Sequence, residues 1–282
     1  MHLSLLSPAK VNLFLRILKR RPDGYHELAT LLQAIGLYDT LSFEFDETDS
    51  LTCNDHSIPS DHSNLVLKAA DLFRRKTGRA FGIKVHLEKK IPAQAGLGGG
   101  SGNAATTLWA LNQLCGEVAT PSVLREWAAE IGSDISFFFS QGTAYCTGRG
   151  EFVEDKAALP AIPIAIVKPY NGLSTPLVYR NLNLAKLSEE RPQDILNSFW
   201  TDSPHYVNDL EDSAFCLMPE LVRLREVLFE RGFKTVLMAG SGSSLFCLGE
   251  GDLSGIENAH IFTTQFCQRK ENQWYGQYTE TH

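Results

Sequence analysis

The stretch KKIPAQAGLGGGSGNAATTLWALNQL, residues 89–114, limits the fold more than any other part of the chain. Glycine stands at 96, 98, 99, 100 and 102, and a glycine inside regular structure costs roughly 0.5 to 1 kcal/mol. Ahead of the cluster, Ile83, Val85 and Leu87 alternate as a strand; behind it, Ala104, Leu108, Leu111 and Cys115 mark one face of a helix. The glycines therefore join a strand to a helix. A helix N-terminus offers unpaired N–H groups and the positive end of the helix dipole, so a flexible loop feeding one makes an anion site, most often for phosphate. The competing explanation is a tight loop packed close to other backbone, for which one or two glycines suffice.

Several phosphate-binding motifs are excluded by direct reading. A P-loop carries Lys and Ser/Thr after its last glycine, whereas Gly102 is followed by Asn103 and Ala104. A dinucleotide fingerprint needs glycine at i, i+2 and i+5, but Gly96 and Gly98 are followed by Ser101, and Gly98 and Gly100 by Asn103. No H-R-D, D-F-G or G-x-S-x-G sequence occurs, which removes the protein kinases and weakens a serine-hydrolase reading.

The formal charge of -7 argues against a nucleic-acid partner, which calls for a basic face, so an anionic ligand must be met by local donors. No apolar run approaches the roughly 20 residues that span a membrane, and the N-terminus lacks a basic start and a cleavage site. Cys53, Cys115, Cys146, Cys216, Cys247 and Cys267 form neither C-x-x-C pairs nor zinc spacings and are expected to be reduced core residues. A cytoplasmic protein of two lobes is expected, without membrane attachment.

Val11, Leu13, Leu15 and Ile17 alternate as a strand, which puts Lys10 and Asn12 on the face opposite the core. ELATLLQAIGLYDTLSFEF predicts two further strands broken at Gly36 to Asp39. Asp61 and Ser63 offer caps to a helix ending at Gly78, and Thr120 with Pro121 opens another. GTAYCTGRGEFVE is strand-like; beyond Pro160, a strand at Ile162 to Val167, helices in STPLVYRNL and from Val207 to Arg231, and a strand-turn-strand in KTVLMAGSGSSLFCLG make a second lobe. The tail from Thr263 is weakly patterned and carries no assignment. Strands in runs predict an α+β fold, divided into domains at 1–158 and 159–282.

PAQAGLGGGSGNAA resembles the second motif of the GHMP kinases, whose glycine loop covers ATP phosphates at a helix N-terminus. PAKVNLFLRILKRRPDGYHEL, GSDISFFFSQGTAYCTGRGE and AGSGSSLFCL extend the resemblance over roughly residues 5 to 250. It implies a two-lobed fold, a β-rich N-terminal lobe with helices and a C-terminal α/β-sandwich lobe. The implied activity is phosphoryl transfer from ATP, with Mg²⁺ whose protein ligands stay unassigned, to a cytidine-diphosphate-linked methylerythritol in isoprenoid biosynthesis. Homoserine-type or mevalonate-type kinases and a catalytically silent nucleotide-binding relative are the alternatives.

Local sequence favours a helix cap for Asp134 and a solvated role for Lys10; the resemblance makes Asp134 the catalytic carboxylate and sets Lys10 beside it. It assigns ATP binding to Pro92, Ala95, Gly96, Leu97, Gly98, Gly99, Gly100, Ser101, Gly102 and Asn103, with Asn64 near the adenine. Ser101 is a candidate phosphate donor or Mg²⁺ ligand, and Asn103 is expected to cap the helix. Tyr25 and His26 read locally as surface residues beside a turn, but the resemblance makes them, with Asn12 and a second aromatic at Tyr179, the substrate pocket. Lys19, Arg20 and Arg21 read as solvated charges, with diphosphate steering as the minor alternative. Gln94 and Ala95 stand where relatives carry glycine, and Gly102 where many carry a second serine.

Overall fold

The computed structural model describes residues 2–276. Two long antiparallel strands, β1 (His2–Arg20) and β2 (His26–Asp46), form its spine. β3 (Ser50–Cys53) leads to α1 (Leu65–Thr77), and β4 (Gly82–Glu88) leads through the glycine cluster into α2 (Gly99–Leu114). α3 (Pro121–Ala128) and a short 3-10 helix (Ser136–Phe139) precede the hairpin β5 (Thr143–Gly148) and β6 (Phe152–Asp155). The sheet runs β3-β4-β2-β1, with β5 on β2 and β6 on β5.

The second half opens with β7 (Pro163–Pro169), followed by α4 (Thr175–Arg180), α5 (Pro192–Ser198), β8 (Val207–Asn208), α6 (Glu211–Leu217) and α7 (Glu220–Glu230). β9 (Thr235–Met238), β10 (Leu245–Leu248) and β11 (Ala259–Gln265) complete an antiparallel sheet of order β11-β7-β10-β9. The two halves are joined by more than the connecting chain. β8 pairs in parallel with Phe14 and Leu15 of β1, Phe266 bridges Ile35, and Arg16 donates to Asp209 Oδ2 at 2.8 Å.

One face of the first sheet packs Phe43, Val85 and Leu87 under Phe73 of α1 and Leu108 and Trp109 of α2. The other face packs Val11, Leu13 and Leu31 onto Ile164, Ile166 and Phe246 of the second sheet. Both faces are covered, so the alternation that correctly marks a strand fails to mark a solvent face: Lys10 is 3% and Asn12 4% exposed. β2 continues as one strand through Gly36 to Asp39, but Gly36 and Leu37 take no partner on β1: they bulge opposite the step from Pro8 to Ala9, and pairing resumes at Tyr38. Asn64, rather than Asp61 or Ser63, caps α1, its Oδ1 accepting from Val66 N at 2.9 Å. The tail gives β11 and then Trp274, whose indole N–H donates to Leu6 O at 2.8 Å; its last six residues lie outside the described ones.

Candidate active site

A cavity of about 1120 Å³ lies where these elements converge. At one end is the start of α2. Gly98 is its N-cap, in a left-handed conformation with φ 71° and no side-chain cap, which leaves the N–H groups of Gly99, Gly100 and Ser101 without helical acceptors. The loop before it is pressed against its surroundings. A Cβ on Gly96 would stand 1.9 Å from Ala239 O, and one on Gly98 2.9 Å from Lys10 Cγ; Lys10 N donates to Leu97 O at 2.9 Å. The close-packing explanation therefore holds for Gly96 and Gly98, while the turn that follows has the uncapped helix start that an anion site needs.

The first turn of α2 is also tied from below. Asp39, fully buried on β2, accepts from Lys90 N and Ile91 N at 2.8 Å each, from Asn103 Nδ2 at 3.1 Å and from Lys89 Nζ. Asn103 is thus inside the helix and bonded to Asp39, not its cap, although it still lines the cavity. Gly102 lies away from the cavity wall, where a Cβ would meet Pro8 O at 2.8 Å; backbone approach to β1 explains it. Gln94 adopts φ 50°, a conformation that glycine takes without strain.

In the middle of the cavity Lys10 Nζ donates to Asn12 Oδ1 at 2.8 Å and lies 3.6 Å from Asp134 Oδ2. Asn12 Nδ2 donates to Thr30 Oγ1 at 2.9 Å, which fixes the amide and so the lysine. Asp134 belongs to a turn ahead of the 3-10 helix and caps no helix, contrary to the local expectation; Lys10 is its charge partner. Its side chain is 42% exposed and open to the cavity.

The far end is aromatic. The rings of His26 and Tyr179 lie 5.3 Å apart, and Tyr25 is 57% exposed beside them. Burial, and then the charge of Arg20, hold the His26 pKa below the ordinary histidine value. Burial, and then the Asp134 carboxylate, push the Tyr179 phenol up. Arg20 lines the cavity, while Lys19 and Arg21 pair loosely with Glu27. Gly240 and Ser241 close the wall, with Ser241 Oγ 2.7 Å from Thr175 Oγ1.

All of the expected site residues except Gly102 line this one cavity. Two that sequence reasoning missed join them or support them. Asp39 carries no local signal, since its partners lie 50 or more residues away. Arg149 has one in retrospect, an arginine between two glycines in CTGRGE.

Residues 64–142 match the GHMP kinases N terminal domain, and residues 183–260 match the GHMP kinases C terminal domain. The chain belongs to the GHMP kinase family. The kinase is 52% identical to the 4-diphosphocytidyl-2-C-methyl-D-erythritol kinase of Protochlamydia amoebophila, over 96% of this chain and 92% of that one. It is 45% identical to the chloroplastic enzyme of the same name from Oryza sativa subsp. japonica, over 97% of this chain and 73% of the relative. A crystal structure of 4-(cytidine 5'-diphospho)-2C-methyl-D-erythritol kinase superposes with a TM-score of 0.79 at 35% identity, covering 94% of this chain and all of the other.

Proposed function

We propose that the kinase transfers the γ-phosphoryl group of ATP to the 2-hydroxyl of 4-diphosphocytidyl-2-C-methyl-D-erythritol, a step of isoprenoid biosynthesis. The observation that carries the reading is the Lys10–Asp134 pair, 3.6 Å apart, standing between a helix N-terminus and an aromatic pocket. Phosphoryl transfer asks for positioning and charge more than for covalent chemistry by the protein. The free N–H groups of Gly99, Gly100 and Ser101 receive the ATP phosphates, with Asn64, Pro92 and Ala95 to Leu97 along the nucleotide. Asp134 orients the substrate hydroxyl and accepts its proton. Lys10, 3.6 Å from that carboxylate, holds it in place and offsets charge that develops on the transferred group. Tyr25 and Tyr179 hold the cytosine ring, His26 reads its edge, and Asn12 fixes Lys10.

Mg²⁺ fits the donor set. Among the described residues, the one group of three acidic or histidine side chains with metal-like spacing, Asp49, His62 and Asp71, lies away from the cavity. Two of its carboxylates already bind Arg74. Ser101 and Asp134 both line the cavity, and one or two protein oxygens with substrate phosphates are the usual Mg²⁺ arrangement. Bound there, the ion would neutralise the triphosphate and help align it. We place the protein in the cytoplasm, supported by six free cysteines, which suit a reducing compartment. No helix among the described residues is long and apolar enough to cross a membrane.

The deciding experiment measures ADP release by the purified kinase with the cytidyl compound, mevalonate and homoserine. Turnover of the cytidyl compound alone is expected; turnover of homoserine or mevalonate in its place sinks the assignment.

A further inference from the structure

Three arginines, Arg20, Arg149 and Arg180, line the cavity that holds Tyr25 and His26. The two lysines of its wall are already committed, Lys10 to Asn12 and Asp134 and Lys89 to Asp39. Arg20 and Arg180 are exposed. Arg149 is held. It sits in the turn between β5 and β6 with its side chain 32% exposed, and Glu151, 14% exposed, lies 3.4 Å from its Nε and also accepts its backbone N–H. The guanidinium carbon is 5.0 Å from the centre of the Tyr25 ring. Among the described residues, Nη1 and Nη2 donate to nothing. The next residue, Gly150, passes so close to Asp134 that a Cβ there would stand 3.2 Å from Oδ1. One turn thus touches the proposed catalytic carboxylate and the aromatic pocket on successive residues.

A guanidinium resting on an aromatic face, with one edge bound to a carboxylate, has little rotamer freedom left to lose. Its other edge is a planar pair of N–H donors matched to phosphate oxygens. In a chain of net charge -7, such a pre-placed cation stands where a phosphate-bearing ligand has to be met. We propose that Arg149 is a substrate-binding residue, which takes oxygens of the substrate's diphosphate bridge while its position on Tyr25 holds the ring that reads the base. This rests on the substrate proposed above and adds to it a residue that sets selectivity for the diphosphate over the bare nucleoside.

The test compares the binding of cytidine 5′-diphosphate and of cytidine to the full-length kinase by calorimetry, with the ATP site filled by a non-hydrolysable ATP analogue. Arg149→Met removes the charge and keeps an apolar stem. It is expected to weaken cytidine 5′-diphosphate by at least about tenfold, the loss of one hydrogen bond to a charged group, while cytidine stays within about twofold. Arg149→Lys should recover part of the loss, since it restores charge without the planar fork, and it carries the same comparison if the Met variant does not fold. Equal weakening of both ligands, or of neither, overturns the proposal. If the wild type phosphorylates the cytidyl compound and Arg149→Met leaves its KM unchanged, this inference alone fails. A wild type that does not phosphorylate the compound overturns the substrate assignment as well.

Discussion

At the glycine end of the cavity the proposed binding groups are main-chain N–H donors held by buried ties, whereas at the aromatic end they are side chains, with Tyr25 57% exposed. Asp39 fixes the first end through four donors and is itself inaccessible. Arg149 rests on Tyr25, and His26 on Tyr179. Backbone donors see only phosphate, which every kinase of the family must hold. Side chains can tell one acceptor from another. The difference teaches that the shared half of the chemistry is built into the fold, and the selective half is laid over it.

The comparison can be broken most severely at Asp39. Asp39→Ala strips a buried lysine of its partner, a change that costs about 3 to 5 kcal/mol. Chemical denaturation should show that loss, together with a raised KM for ATP and little further effect on cytidyl selectivity. Next comes the junction of the two ends. Asp134→Asn should lower kcat by at least about a hundredfold, the low end of general-base effects, with a smaller loss of stability than Asp39→Ala, because Asp134 is 42% exposed and Lys10 keeps its bond to Asn12. Near-normal turnover would remove Asp134 from its proposed role.

Tyr25→Ala sharpens the contrast from the other side. Base stacking is worth about 1 to 3 kcal/mol, so cytidyl affinity should fall about 5- to 150-fold while ATP affinity holds. The smallest expected effect is in pH. The His26 pKa is lowered by burial and then by Arg20, so the unfolded chain takes up a proton that the folded one refuses. Stability should therefore be complete above the unfolded histidine pKa of about 6.5 and fall as pH drops through it. His26→Gln should flatten that part of the profile measured by thermal unfolding.

The same contrast explains what could be read from the sequence. Glycines followed by a helical pattern announce the tight loop and the uncapped start of α2 directly, because backbone freedom leaves a trace in composition. The strand character of β5 and β6, α3 with its Thr120 cap and the β9–β10 pair were equally legible from alternation and turn residues, although the turn that makes β5 and β6 a hairpin was not. Three things were not. The break predicted at Gly36 is only a bulge of Gly36 and Leu37, because β1 pairs with β2 on either side of it, which no local signal reports. The buried state of Lys10 depends on the turn that carries Asp134 and on Gly98. Asp39 looks like any strand aspartate until its partners from β4 and α2 are brought in. At the aromatic end only the resemblance distinguished Tyr25 and His26 from ordinary turn residues.

β1 carries Lys10 and Asn12 and, through one tight turn, hands the chain on to Tyr25 and His26. The proposed site of transfer and the proposed pocket for the base are therefore stations on a single ribbon, spaced by pleats that cannot stretch. Such a ribbon acts as a gauge. On the proposed roles, an acceptor one phosphate too short would seat its cytosine and leave its hydroxyl out of reach of Asp134, so the ribbon would measure the substrate as well as read it.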